Sequence, residues 1–146
     1  MFERYTEHAR RCIFFGRYEA SMFGSQVIAT EHLLLGVLRD DKRVASQLGL
    51  SADKIRKEVE QIAPPAGERV STSVDMPLSH ESKQVLRFGA EEADALNHRQ
   101  IDSEHLVLGL LRVEESLAAK LLRAHGVKYE RYRETVAKGT VEGEVT

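Results

Sequence analysis

The chain repeats itself. The ten residues from Thr30 to Arg39 (TEHLLLGVLR) return as the ten from Ser103 to Arg112 (SEHLVLGLLR), at an offset of 73 residues. The register holds without a gap back to Thr6, which maps onto Ser79. It also carries Phe15 onto Phe88, Gly16 onto Gly89, Glu19 and Ala20 onto Glu92 and Ala93, and Ile28 onto Ile101. Self-similarity at a fixed period marks a duplicated supersecondary unit, so the fold has to be assembled from two similar halves.

Within the first half, Ala9, Cys12, Ile13, Gly16, Ala20 and Phe23 recur at helical spacing, and Val85, Leu86, Gly89, Ala93 and Leu96 keep the same phase in the second. Both halves therefore open on an amphipathic helix, with Thr6 and Ser79 as N-caps. Gly16 and Gly89 sit mid-helix at a cost of about 1 kcal/mol each relative to alanine, which points to close helix approach. A second, strongly apolar helix is expected after Thr30 and Ser103, both N-cap residue types, running to Arg39 and Arg112 as a buried central element. A short third helix opens near Val44-Ala45 and Leu117-Ala118 and stops near Gly49 and Gly126. These glycines are 77 residues apart, so the first copy is read as one helical turn shorter. A fourth amphipathic helix carries Ile55, Val59 and Ile62 in one copy and Tyr129, Tyr132 and Val136 in the other.

The expected fold is all-α: one domain of two pseudo-symmetric four-helix repeats, eight helices in all. Repeat 1 covers about 2–62 and repeat 2 about 79–137. Residues 63–78 form a Pro-, Gly- and Ser-containing linker, and 138–146 a frayed tail or the start of a connection. At 146 residues the chain is long enough to bury a real core, and 42% hydrophobic and 30% charged residues with a formal net charge of −2 describe a globular protein with no electrostatic bias toward nucleic acid. No stretch approaches a membrane span, and Met1 to Arg11 lacks the apolar run of a signal peptide, so the expected address is the cytoplasm. Cys12 is the sole cysteine and reads as a small core residue rather than a disulfide partner or zinc ligand.

Two copies of a T-E-H-[IL]-L-L-G-L signature, the opening Phe2-Glu3-Arg4-Tyr5-Thr6 and a polar linker between the copies together resemble the Clp N-terminal (Clp repeat) domain family. The resemblance covers Met1 to Ala137 and is nearest to the N-domain of ClpC-type AAA+ unfoldases. It implies a non-catalytic, protein-binding domain that recruits substrates or adaptors to a Clp AAA+ ATPase, in cis or in trans. The alternative is a free-standing N-domain protein that sequesters ligands or regulates the unfoldase in trans. No G-x-x-x-x-G-K-[ST] phosphate loop is present, so ATP hydrolysis by that route is not expected, and no cofactor is.

The resemblance further implies phosphoarginine recognition, with Glu31 and Glu104 reading the guanidinium. A carboxylate suits that planar fork of donors, and the helix starts at Thr6 and Ser79, joined by Thr30 and Ser103, offer N–H groups to the phosphate. The plainer alternative is that both glutamates simply occupy a first helical turn, where the macrodipole favours an acid. The sequence departs from the family pattern at Ala29 and Asp102, where a glycine is usual, and at Glu81, which puts negative charge where phosphate wants a base. His32 and His105 are one per motif, too few for a metal site, and are expected to pack and hydrogen-bond. Glu19 and Glu92 read as solvated or capping residues. Phe14, Tyr18 and Met22 form an i, i+4, i+8 stripe answered by Arg87, Glu91 and Ala95 in the second copy. That stripe either packs beneath the linker or the third helix or presents a surface to a protein partner.

Overall fold

The caps predicted for the opening helix of each copy form. The Thr6 hydroxyl accepts from the Ala9 N–H at 3.1 Å and the Ser79 hydroxyl from the Ser82 N–H at 3.1 Å. The computed structural model describes residues 2–71 and 75–145, with side chains through residue 139. The described residues form eight α-helices: α1 Glu7–Met22, α2 Thr30–Asp40, α3 Lys42–Leu48, α4 Ala52–Ile62, α5 His80–Ala95, α6 Ser103–Arg112, α7 Leu117–Ala124 and α8 Tyr129–Val145. The last helix runs through the segment that the sequence suggests as a tail. Residues 72–74 of the linker, Met1 and Thr146 lie outside the described residues.

The signature helices α2 and α6 form the centre. Leu34, Leu35, Leu38, Leu108 and Leu110 are fully buried, and each stabilises the fold by about 1.5–3 kcal/mol relative to an exposed position. The α1–α2 and α5–α6 pairs cross closely, as Gly16 and Gly89 suggest. A Cβ at those glycines would stand 3.2 Å from the His32 carbonyl oxygen and 3.1 Å from that of His105. The tighter contacts belong to the signature itself: a Cβ on Gly36 would lie 2.1 Å from the Cys12 carbonyl oxygen, and one on Gly109 2.3 Å from that of Val85. Only glycine lets these helices approach so closely.

Two details correct the sequence reading. Thr30 and Ser103 are the first helical residues and not the caps, which are Ala29 and Asp102. The third residue of each helix is histidine, and it reaches back: His32 Nδ1 accepts from the Ala29 N–H at 2.9 Å and His105 Nδ1 from the Asp102 N–H at 2.8 Å. This is the return arm of a capping box, usually built from Glu or Gln. Nor is a helical turn missing from the first copy. α3 has seven residues and α7 eight, and the main difference lies ahead of them: Asp41 alone separates α2 from α3, whereas residues 113–116 separate α6 from α7.

The halves are interlocked at their helix starts by two isolated parallel bridges, Tyr5 with Ile101 and Ile28 with Leu78. Thr6 N–H donates to the Ile101 carbonyl at 3.0 Å, and Ser79 N–H to that of Ile28 at 3.0 Å. The segment ahead of the first helix in each copy thus pairs with the segment ahead of the signature helix in the other. Cys12 is fully buried, with its Sγ 3.4 Å from Ser103 Oγ of the opposite copy, and burial pushes its thiol up to about 12.

Candidate functional site

These crossed bridges decide the surroundings of the two signature glutamates, because each lies beside the first helix of the other copy. Glu104, in the first turn of α6, is buried and held from α3. Arg43 Nη1 lies 3.2 Å from Glu104 Oε1, and Gln47 Nε2 donates to Oε2 at 2.9 Å. Arg43 also reaches Asp102 at 3.2 Å. Asp102 Oδ1 accepts from Thr6 Oγ1 and from the Ser103 N–H, both at 2.8 Å, which places a carboxylate over the start of α1. Gln47 is fixed in turn by the Tyr132 hydroxyl, which donates to its Oε1 at 2.8 Å.

Glu31, in the first turn of α2, is half-buried, and no ion pair reaches it among the described residues. Burial raises its carboxyl above the ordinary range, helped by the negative charge of nearby Glu81 in the first turn of α5. Ahead of it, Thr30 is buried and its Oγ1 accepts from the Ala118 N–H at 3.4 Å. Counting from the N-caps Asp41 and Ser116, Ala118 occupies in α7 the place that Arg43 holds in α3. The side chain that neutralises Glu104 thus has no counterpart beside Glu31.

The structure therefore draws the six predicted residues into two clusters. Thr6, Ser103 and Glu104 gather at one joint, and Ser79, Thr30 and Glu31 at the other. The hydroxyls of Thr30 and Ser103 are buried and turned toward the interior. Arg43 and Gln47 were missed, because α3 shows no pattern that ties it to the other copy.

The model of the Clp repeat (R) N-terminal domain matches residues 4–89 and again 77–145. The chain belongs to this family. It is similar to the ClpC/MecB protein of Bacillus subtilis, described as a negative regulator of genetic competence, with 36% identity over 140 residues, 93% of this chain and 17% of that protein. The chaperone protein ClpB of Oceanobacillus iheyensis is 34% identical over 140 residues, again 93% of this chain and 17% of the relative. Among solved structures, the N-terminal domain of ClpD from Arabidopsis thaliana superposes with a TM-score of 0.80 at 31% identity and covers 97% of both chains. The chain thus spans about a sixth of the length of the curated relatives it matches.

In this Clp N-domain the predicted stripe on α1 divides. Phe14 is 65% exposed, Tyr18 lies half-buried with the Arg39 guanidinium 4.7 Å from its ring centroid, and Met22 touches Arg69 of the linker. The linker folds back over this end of α1, where Ala66 N–H donates to the Phe23 carbonyl and Val70 N–H to that of Ser21. Glu19 and Glu92 are not solvated. Both are buried, Glu19 between Arg39 and Arg56 and Glu92 between Arg112 and Arg133. The arginines come from positions remote in sequence, so local pattern gave no hint of them. No helix among the described residues is long and apolar enough to cross a membrane.

Proposed function

We propose that this chain is a recruitment domain that binds protein substrates or adaptors for a Clp AAA+ unfoldase, and that Glu31 is its guanidinium-reading residue. Membership in the Clp repeat family and likeness to N-terminal regions of ClpC and ClpB support the recruitment reading. The observation that carries the choice of Glu31 is the contrast between the two signature glutamates. Glu104 already holds a guanidinium, that of Arg43 at 3.2 Å, whereas no ion pair reaches Glu31 among the described residues. Arg43 on Glu104 is in effect an internal picture of the ligand group that Glu31 would take from outside.

The ligand is a phosphoarginine side chain on a recruited protein, its guanidinium on Glu31 and its phosphate toward the start of α5 at Ser79. Glu81 opposes the phosphate, and Glu31, whose carboxyl is raised by burial, must lose its proton to pair with the guanidinium, so affinity is expected to weaken as pH falls into the carboxylate range. Thr6, Ser103 and Glu104 form the matching but occupied joint. The test is calorimetric titration of the chain with phosphoarginine and with arginine. Glu31→Ala is expected to abolish binding and Glu104→Ala to leave it within about twofold, a change worth under 1 kcal/mol. Silence of the wild-type chain would remove the ligand, and unaltered binding by Glu31→Ala would move the site.

A further inference from the structure

The two buried carboxylates, Glu19 and Glu92, each accept three hydrogen bonds, but from different donors. Glu92 accepts from Arg112 Nη1 at 3.2 Å, from Arg133 Nε at 3.3 Å and from the Tyr129 hydroxyl at 2.7 Å. Glu19 accepts from Arg39 Nη1 at 3.3 Å and from Arg56 twice, Nε at 2.8 Å and Nη2 at 2.9 Å. Arg39 matches Arg112, and Arg56 matches Arg133 as the fifth residue of α4 and of α8. The partner without a match is the tyrosine. Tyr129 is the first residue of α8, and the first residue of α4 is Ala52.

The first copy therefore lacks this phenol, and a second N–H of Arg56 makes the third hydrogen bond. The volume of the ring has not been filled. A cleft of about 690 Å³ opens there, with Ala52 and Glu19 in its wall and Tyr18, Met22, Phe23 and Leu50 around them. The corresponding cleft of the second copy, with Tyr129 in its wall, holds about 510 Å³. The walls differ as well: Tyr18 and Met22 stand where the second copy has Glu91 and Ala95, so the larger cleft is also the more apolar. The cleft is apolar over the larger part of its wall, with Glu19 facing it beside Arg39 and Arg56, and a mainly apolar cleft with a few convergent polar groups is the usual form of a small-ligand or side-chain pocket.

We propose that the cleft between α1 and α4 binds the phenol of a tyrosine side chain presented by a partner polypeptide, with the ring over Ala52 and the hydroxyl donating to Glu19. The second copy is the template: Tyr129 shows the ring position and the hydrogen bond, and Arg133 shows the single-donor pose that Arg56 adopts when the phenol arrives. This pocket lies at the far end of α1 from Thr6 and is independent of the Glu31 reading.

The test is an amide NMR titration of the 146-residue chain with p-cresol, and with 4-methylanisole as the same ring without its donor. p-Cresol is expected to give saturable shifts centred on Ala52, Tyr18 and Met22, and 4-methylanisole to bind about tenfold more weakly, the cost of one unmade hydrogen bond. Ala52→Tyr rebuilds the filled second-copy arrangement, so it is expected to raise Tm and abolish the shifts. Tyr129→Ala is expected to open a second site, with new shifts at the start of α8. Absence of saturable shifts at Ala52 in the wild-type chain overturns the pocket, as does undiminished binding by a folded Ala52→Tyr. Equal binding of the two probes overturns the role of Glu19 and leaves a phenylalanine-type side chain as the occupant. Should Ala52→Tyr fail to fold, Tyr129→Ala decides: no second site there overturns the template.

Discussion

Glu31 and Glu104 occupy the same position in two copies of one motif, on helices whose backbones start in the same way, yet one is gripped by an arginine and a glutamine and the other is not. The cause lies outside the motif. Each glutamate is flanked by the third helix of the opposite copy, and α3 brings Arg43 and Gln47 where α7 brings Ala118. The same holds at the buried acids, where Tyr129 narrows one cleft and Ala52 leaves the other wider. The two copies share a frame, and the difference between their flanking helices leaves Glu104 paired with Arg43 and Glu31 without an ion pair among the described residues.

The largest effect expected to test the shared frame is a pH dependence of stability. His32 and His105 are held by burial at about 4, well below the ordinary histidine value, because an accepting Nδ1 inside the core has no room for a second proton. A depressed base contributes stability that is complete above the unfolded pKa near 6.5 and is lost as pH falls toward 4. Each histidine accounts for on the order of 3 kcal/mol at the acid end, opposed in part at low pH by Glu31, whose raised carboxyl gains from protonation. Urea unfolding between pH 7 and 4 measures this, and a flat profile would show that the two return arms carry no load.

Next in size are the helix crossings. Gly36→Ala and Gly109→Ala drive a Cβ into a backbone carbonyl, and each is expected to cost about 3 kcal/mol or more. Gly16→Ala meets its carbonyl at 3.2 Å and gains about 1 kcal/mol of helix propensity, so it should remain close to wild type. Equal losses at Gly16 and Gly36 in thermal melts would refute this ranking.

The smallest effect on stability is the most informative about the comparison. Arg43→Ala strips Glu104 of its guanidinium. Arg43 is about half exposed, so the loss is expected to be only about 1 kcal/mol. Glu104 would then keep only Gln47 and be open to a guanidinium, and the phosphoarginine stoichiometry should rise from one to two. An unchanged stoichiometry would mean that Asp102, and not occupancy by Arg43, closes the second joint.

The frame of this molecule was written plainly in its sequence. The offset from Thr6 to Ser79, the helical phase of Cys12 and its neighbours, and the mid-helix glycines are local or periodic signals, and helices answer to such signals. What escaped was made by contacts across the duplication. A bridge of one residue pair leaves no strand pattern, so the pairing of Tyr5 with Ile101 was invisible. The caps fell one residue early because histidine stands where a capping box usually has Glu or Gln. Glu19 and Glu92 read as solvated because a single acid in a helix looks exposed until an arginine from another helix is known to cover it. The candidate site was legible as a set of residue types at helix starts, but not in its asymmetry, which belongs to α3 and α7.

The crossed bridges also bear on what one copy would be by itself. A lone repeat would carry both edges of the pairing, the segment ahead of its first helix and the segment ahead of its signature helix, and could satisfy neither alone. A second identical chain would complete both about a twofold axis. The present domain has the geometry of such an exchanged dimer joined in one polypeptide, and a single chain, unlike two identical ones, lets its two halves carry different residues at matching positions.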